Sequence, residues 1–383
     1  MIVLTVNTGS TSVKLAAFAV AGTPGAGEPP PRQVATQHLT GPHLDPAPAL
    51  SGFLGQLAEP PAAVAHRVVH GGTRFTGPTL IDDHVRDCIA SLSELAPLHN
   101  PVALRWIDAA REACGAGVAH VAAFDTAFFS TLPRVAAEYA LPPELGVELG
   151  IRRYGFHGLA HEALWRRWCQ LEPRLAGGGR LITLQLGGGC SMAALDGGRP
   201  RDTSMGFSPL EGLVMATRSG DVDPAMVPYL GRRLGISSER VLARLNEDCG
   251  LAGVAGSAGD PQSLLDGGSE RGRFAVELYC YRARKYLGAH LAVLGGCEGV
   301  VFGGGVGEHV PEVRAKILAG LEWAGVALDR TANRTARGSE CRISAGDSRV
   351  GIWVIPVDEE VLMVRSALTV AKLPREFTPR TLS

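Results

Sequence analysis

The chain has 383 residues, too many for one ordinary hydrophobic core, so two to three domains are expected. Hydrophobic residues make up 45% and charged residues 20%, the balance of a globular enzyme. The formal net charge is -1, from 37 Lys and Arg against 38 Asp and Glu, which excludes a global field for nucleic acid or an anionic membrane.

The apolar runs 2–6 and 13–20, with the polar turn 7–12 between them, predict a hairpin of two buried strands. Residues 22–32, rich in Gly and Pro, predict a surface loop. A strand is expected over 62–69, ending in Gly71-Gly72, and a helix from Asn100 as cap with Pro101 in its first position. Further strands are predicted over 118–124, 180–186, 299–302 and 350–355. Helices are predicted over 161–171 and 270–294, through Val313, Ile317 and Leu321, and over 359–370. This alternation argues an α/β fold. A weak repeat links Gly9-Ser10-Thr11-Ser12 to Gly188-Gly189-Cys190-Ser191, two small-residue loops whose backbone N–H groups can approach phosphate oxygens.

No run of about 18 apolar residues is present, so no membrane span is expected. Leu15 to Ala21 mimics a signal-peptide core but lacks a basic start, and a cytoplasmic location is expected. The 8 cysteines are dispersed without CxxC or metal-ligand spacing, which fits a reducing compartment.

Several constellations suit anions. Asn7 to Ser12 with Lys14 offers an amide, hydroxyls and an ammonium. Arg67 lies in an apolar strand run, and Asp125 ends the strand run 121–124, where open α/β sheets place ligands. His157 sits between small and aromatic residues, and the stretch 202–224 is rich in small polar residues. Gly303 to Glu308 lacks the G-x-G-x-x-G order of a dinucleotide fingerprint.

In order, VNTGSTSVKL at 6–15, HRVVHGG at 66–72, LAPLHNP at 95–101, FDTAF at 124–128, RRYGFHG at 152–158, DTSMGFSPLEGL at 202–213, TRSGDVDPA at 217–225, VVFGGGVGE at 300–308 and VIPVDEE at 354–360 resemble the acetate kinase family. The resemblance implies two duplicated actin-like ATPase (ribonuclease H-like) domains with an active-site cleft between them. Their expected bounds are 1–127, with 360–383 packing back on that domain, and 128–359. It implies reversible, Mg²⁺- or Mn²⁺-dependent phosphoryl transfer from ATP to acetate, and a homodimer. Asn7 and Glu359 would hold the metal, and Lys14 and Ser10 would lie near nucleotide phosphates. Arg67 and Arg218 would clamp carboxylate and phosphoryl, and His157 would donate to the phosphoryl oxygens. Gln185, Gly187, Gly188, Gly189, Asp260, Gly305, Gly307 and Glu308 would line the nucleotide site. Val69, Leu98, Phe156 and Pro209 would form a pocket for the acyl methyl. The family describes Asp125 as a proton donor or acceptor. A carboxylate nucleophile has a reference pKa near 4 and needs no base, so Asp125 is read here as orienting an Arg or a metal-bound water.

The chain departs from the family pattern on the nucleotide side. Gln185-Leu186-Gly187-Gly188-Gly189 stands where the family has H-x-G-N-G. Phe129 replaces a His, Leu159-Ala160 replace Thr-Ser, His309 replaces an Asn, and the segment at Asp260 lacks an Arg two residues on. The donor is therefore less fixed than the acceptor. Propionate or another short acid, a different phosphoryl donor, an inactive relative and a nucleotide-gated scaffold are the alternatives.

Overall fold

The computed structural model describes residues 1–9, 12–20, 30–41 and 44–371. Ser10, most of the expected loop 22–32 and the end of the expected segment 360–383 fall outside the described residues. Contacts divide the chain into two units. One is Met1–Ser130 with the described part of Asp358–Ser383, and the other is Thr131–Val357.

The first unit runs β1 Ile2–Thr8, β2 Ser12–Ala19, β3 Arg32–Thr40, α1 Pro46–Leu54, β4 Pro61–Val68, β5 Thr79–Leu80, α2 Asp83–Ser91, α3 Asn100–Cys114 and β6 Ala119–Phe124. The second runs α4 Arg134–Ala137, α5 Gly158–Leu171, β7 Arg180–Leu186, β8 Cys190–Asp196, β9 Arg199–Thr203, α6 Met226–Leu234, α7 Ser238–Glu247, α8 Gly250–Ala255, α9 Pro261–Asp266, α10 Glu270–Leu294, β10 Gly299–Gly303, α11 Gly304–His309, α12 Pro311–Leu318, α13 Arg330–Thr335, β11 Cys341–Arg342 and β12 Gly351–Val354. Finally α14, Glu359–Val370, returns to the first unit and packs on β1, β4 and β6.

Each unit is built on a six-stranded sheet, in the orders β3-β2-β1-β4-β6-β5 and β11-β12-β10-β7-β8-β9. The second is the first read backwards. β1 and β7 each open an antiparallel meander on one side and take a parallel strand, β4 or β10, on the other. Parallel β6 and β12 follow, each edged by a short antiparallel strand. The repeat is thus carried by topology, and the architecture is that of duplicated actin-like ATPase domains. The mostly apolar run of β1 follows from its central, two-sided burial, with Val3, Leu4 and Val6 fully covered. In the first unit Leu4 and Val6 pack with Leu15, Phe53 and Trp106. Each such large side chain contributes about 1.5–3 kcal/mol by leaving water.

Several boundaries differ from expectation for local reasons. β4 stops at Val68, so Val69 lies in a bend and shares no strand face with Arg67. Asn100 is the first helical residue of α3 rather than its cap. Its side chain instead accepts from the His70 amide at 3.1 Å and donates to the His70 carbonyl at 3.0 Å. The helix expected through Leu321 ends at Leu318. By contrast α10 coincides with its expected span, because Ser269 caps its start and Gly295, at φ 66°, ends it in the left-handed region.

Candidate active site

In the first unit the site grows from strand ends. The parallel register sets Arg67 beside Ala123 and Val68 beside Phe124, so Asp125 emerges next to Arg67. The pair is bidentate, with Arg67 Nη2 2.7 Å from Asp125 Oδ2 and Nε 3.0 Å from Oδ1. Burial works against the Arg67 charge, but Asp125, then Glu359 and Glu360, hold the guanidinium charged beyond its ordinary range. Across the β1–β2 hairpin Asn7 faces Lys14, and the two side chains share one sheet face. Asn7 Nδ2 donates to Glu359 Oε2 at 2.9 Å and to Glu360 Oε1 at 3.1 Å, and its Oδ1 accepts from Arg67 at 3.3 Å. Lys14 Nζ stands 3.0 Å from Glu360 Oε2. Both glutamates open α14, whose Asp358 cap binds the Val361 amide.

Three carboxylates, Asp125, Glu359 and Glu360, thus face two cations. Burial, together with Asp125 and Glu360, pushes the Glu359 carboxyl above the usual range, against the pull of Arg67 and Asn7. This surplus of buried negative charge suits a divalent cation. Among the described residues no group of three or more His, Cys, Asp or Glu could hold a metal ion by itself.

The second unit supplies a different set. His157 precedes α5 with φ 56°, the left-handed region that non-glycine residues rarely adopt. A Cβ added at Gly189 would lie 3.3 Å from His157 Nε2 and 3.6 Å from Arg218 Nη1. The two side chains therefore converge on the bare backbone of the β7–β8 turn. The Ala216 amide donates to the Gly188 carbonyl at 3.0 Å, and Arg218 Nη1 donates to the Pro209 carbonyl at 3.2 Å, which fixes the Arg218 loop against that turn. Unlike Arg67, Arg218 has no carboxylate partner among the described residues, and burial lowers its pKa. A half-buried guanidinium with no carboxylate partner among the described residues is suited to an anion.

Asp260 and Gly305 meet in a cavity of about 220 Å³, which Gln262, Val306, His309, Val310 and Arg337 also line. Asp260 caps α9 through the Ser263 amide and hydroxyl. Gly307 and Glu308 do not line this cavity. The Glu308 carboxylate accepts from the Gly304 amide at 2.9 Å and the Val357 amide at 3.1 Å, closing its own turn. Gln185 stands opposite Ser191, and its Oε1 is buried with no partner among the described residues. Gly187 closes the turn by donating to the Gly189 carbonyl, while Gly188 is exposed. Val69 and Phe156 are buried, Pro209 is half-buried, and Leu98 is exposed.

Sequence reasoning missed Arg314. It is buried and donates to the carbonyls of Gly307, Glu308, Asn333 and Ala336 and to Asn333 Oδ1. Burial, then Arg337, brings its pKa down to about 10. A cation set on the last carbonyls of α11 was the available signal. Glu360, Ser191 and His161 were missed as well.

The acetokinase family model matches residues 53–365. The acetate kinase of Solibacter usitatus is 48% identical over 310 residues, covering 80% of this chain and 75% of that protein. The acetate kinase of Bacillus subtilis is 42% identical over 312 residues, covering 81% and 78%. Among solved structures, Porphyromonas gingivalis acetate kinase aligns at 34% identity with a TM-score of 0.83, over 97% of this chain and 99% of that one. A propionate kinase of Francisella tularensis aligns at 30% identity with a TM-score of 0.84, over 95% and 98%. With the family model matching most of the chain, and with relatives of this identity aligned over three quarters or more of their length, the chain belongs to the acetokinase family.

Proposed function

We propose that the protein catalyses reversible phosphoryl transfer from ATP to acetate, giving acetyl phosphate and ADP. The observation that carries this reading is the convergence on Gly189 of His157 and of Arg218, which has no carboxylate partner among the described residues. A carboxylate oxygen attacks the γ-phosphorus, the bond to the β-phosphate oxygen breaks, and the pair of electrons leaves with ADP. The acid is already ionised, so no general base is required. The work left to the protein is to position the reactants and to neutralise charge on the equatorial oxygens. Arg218, with no carboxylate partner among the described residues, clamps the transferring group, and His157 donates to it. Asp125 fixes the plane of Arg67, which orients the acid carboxylate, with Val69, Leu98, Phe156 and Pro209 around its methyl.

Asn7 and Glu359 would hold Mg²⁺, or Mn²⁺, which supplies charge neutralisation at the phosphates. Lys14 and the turn of Gly187, Gly188 and Gly189 serve the phosphates. The cavity at Asp260, Gly305, His309 and Arg337 serves the nucleoside. A cytoplasmic location is supported by eight free thiols, and no described helix is long and apolar enough to cross a membrane. A homodimer is supported by the exposed Leu141, Leu145, Val147 and Leu149, and light scattering should return about twice 40.2 kDa.

Trapping of acyl phosphate as a hydroxamate, with ATP, Mg²⁺ and acids of two to four carbons, tests the activity. Acetate should give the largest signal. If no acid raises ADP formation above background, the kinase reading fails. Because a propionate kinase is among the similar structures, propionate is the informative second acid.

A further inference from the structure

His157 immediately precedes α5 and His161 lies in its first turn, where the His161 amide donates to the His157 carbonyl at 3.0 Å. Beneath them, Thr183 alternates with Gln185 on one face of β7, and Ser191 of β8 stands opposite Gln185. These side chains form one line of contacts. Thr183 Oγ1 lies 2.7 Å from His161 Nδ1, His161 Nε2 lies 2.7 Å from Ser191 Oγ, and Ser191 Oγ lies 2.8 Å from His157 Nδ1. Thr183, His161 and Ser191 are fully buried.

The protons in this line can be counted. Burial drives the His161 pKa down to about 3, so its ring is neutral and carries a single N–H. Thr183 and Ser191 carry one hydroxyl proton each. If His161 donates from Nδ1, the Thr183 oxygen accepts, and the Thr183 proton then has no acceptor among the described residues. A buried hydroxyl in that state is unfavourable. The other direction satisfies every group. Thr183 donates to His161 Nδ1, His161 Nε2 donates to Ser191, and Ser191 donates to His157 Nδ1. His157 must then carry its own proton on Nε2, the nitrogen 3.3 Å from where a Cβ at Gly189 would stand.

We propose that Thr183, His161 and Ser191 are positioning residues, a one-way chain of donors that fixes His157 in the tautomer protonated at Nε2. This rests on the reading that His157 donates to the transferring phosphoryl group. A hydrogen-bond donor is needed on that side of the ring, and the chain presents it before substrate arrives, with no reorientation during transfer. The left-handed backbone of His157 points the same way. The strained residue is held in one pose by its neighbours, as expected where geometry matters more than stability.

The test reads the tautomer directly. Protein labelled with ¹⁵N-histidine is examined by long-range ¹H–¹⁵N correlation at about pH 8, well above the reference histidine pKa. The His157 signals are assigned by their loss in His157→Gln. The wild-type protein should show Nε2 protonated and Nδ1 bare. Ser191→Ala, and the isosteric Thr183→Val two hydrogen bonds away, should both move His157 toward the other tautomer. In steady-state kinetics Ser191→Ala should lower kcat about 2- to 10-fold, the worth of one hydrogen bond, with KM little changed. A His157 ring protonated at Nδ1 in the wild type, or an unmoved tautomer in both variants, overturns the proposal. The spectrum needs no turnover, so failure of the acid-kinase reading would show separately, as absence of acyl phosphate.

Discussion

Asp125→Asn separates the two roles open to this carboxylate. The substitution keeps the shape and one acceptor oxygen but removes the charge that faces Arg67 through contacts of 2.7, 3.0 and 3.3 Å. Asp125 is 1% exposed and Arg67 14%, so little solvent screens the pair. Removing one partner of a buried ion pair costs about 3–5 kcal/mol, because the other charge is left without compensation. Here Glu359 and Glu360 also favour the Arg67 charge, so the lower end, about 3 kcal/mol, is expected. For a unit of this size that is a fall in Tm of roughly 6–12 °C, measurable by calorimetry. If Asp125 acts only by orienting Arg67, Asp125→Asn should lower kcat without changing the slope of its pH profile. Combined with Arg67→Ala it should then cost little beyond Arg67→Ala alone. A Tm within about 1 °C of wild type would refute the energetic argument. Fully additive rate losses in the double variant would refute the orienting role.

Arg218→Ala should cost on the order of 10³- to 10⁵-fold in kcat, and Arg218→Lys should also be poor, since an ammonium cannot reproduce the planar fork. Neither should lower Tm as Asp125→Asn does, because the half-buried Arg218 has no carboxylate partner among the described residues; kinetics and calorimetry on the same samples check both. Gly188→Asn should fold normally, because a Cβ there meets nothing within 4 Å, and its amide should tighten ATP by roughly 10- to 100-fold in KM. No tightening, with pyrophosphate or another donor working better than ATP, would show that the donor is not ATP. Val69→Ala should shift kcat/KM from acetate toward propionate, within the roughly 10- to 200-fold range that one methylene can command, and an unchanged ratio would place the length limit elsewhere. Stability should fall with acid. His120 and His161 are pushed down to about 4 and about 3 by burial, so the unfolded chain takes up protons first. Their contribution is full above pH about 6.5 and is lost below it, at up to about 1.4 kcal/mol per pH unit for each ring. Urea midpoints that do not differ between pH 7.5 and 5.5 would contradict this.

Much of the fold was legible because its central strands and long helices carry their signals locally. β1, β7 and β10 read as largely apolar runs because both faces are covered, and α10 is bounded by a serine cap and a glycine stop. What escaped were the elements whose partners decide them. β3 and β9 are polar meander strands, formed only because β2 and β8 offer an edge. Asn100 looked like a cap because its chemistry is that of a cap, yet its amide is taken by the His70 backbone. At the site, Arg67 and Asp125 could be singled out as strand-end charges, but their bidentate pairing is a matter of parallel register. Ser191 was legible only as part of a small-residue loop, and His161 gave no signal. A serine beside glycines and a histidine in a helix become a relay only when α5 lies over β7 and β8.

The duplicated topology explains why the two units contribute such different chemistry from one scaffold. In each, the hairpin that opens the sheet ends in an opposed pair of polar residues just before its small-residue turn, Asn7 with Lys14 and Gln185 with Ser191. The positions are equivalent by strand order, so differences between them reflect side chains and neighbours rather than backbone. Asn7 and Lys14 stand over the carboxylates that open α14, and the result is a charged lattice with negative charge in excess. Ser191 stands under the imidazoles of α5, and the result is a chain of neutral donors. An excess of carboxylate is suited to a divalent cation, whereas uncharged donors beside an uncompensated Arg218 are suited to the phosphoryl oxygens. Gln185 completes the pattern in an unusual way. Its oxygen is buried with no partner among the described residues, one position before the strand end at Leu186 and three residues from the exposed Gly188. An acceptor held dry has most to gain from a donor, and if the proposed site is right the phosphates of ATP at this turn would offer acceptors only. Gln185→His should therefore favour ATP by replacing that orphaned acceptor with a ring able to donate, and the gain should add to that of Gly188→Asn only if the two side chains address different oxygens.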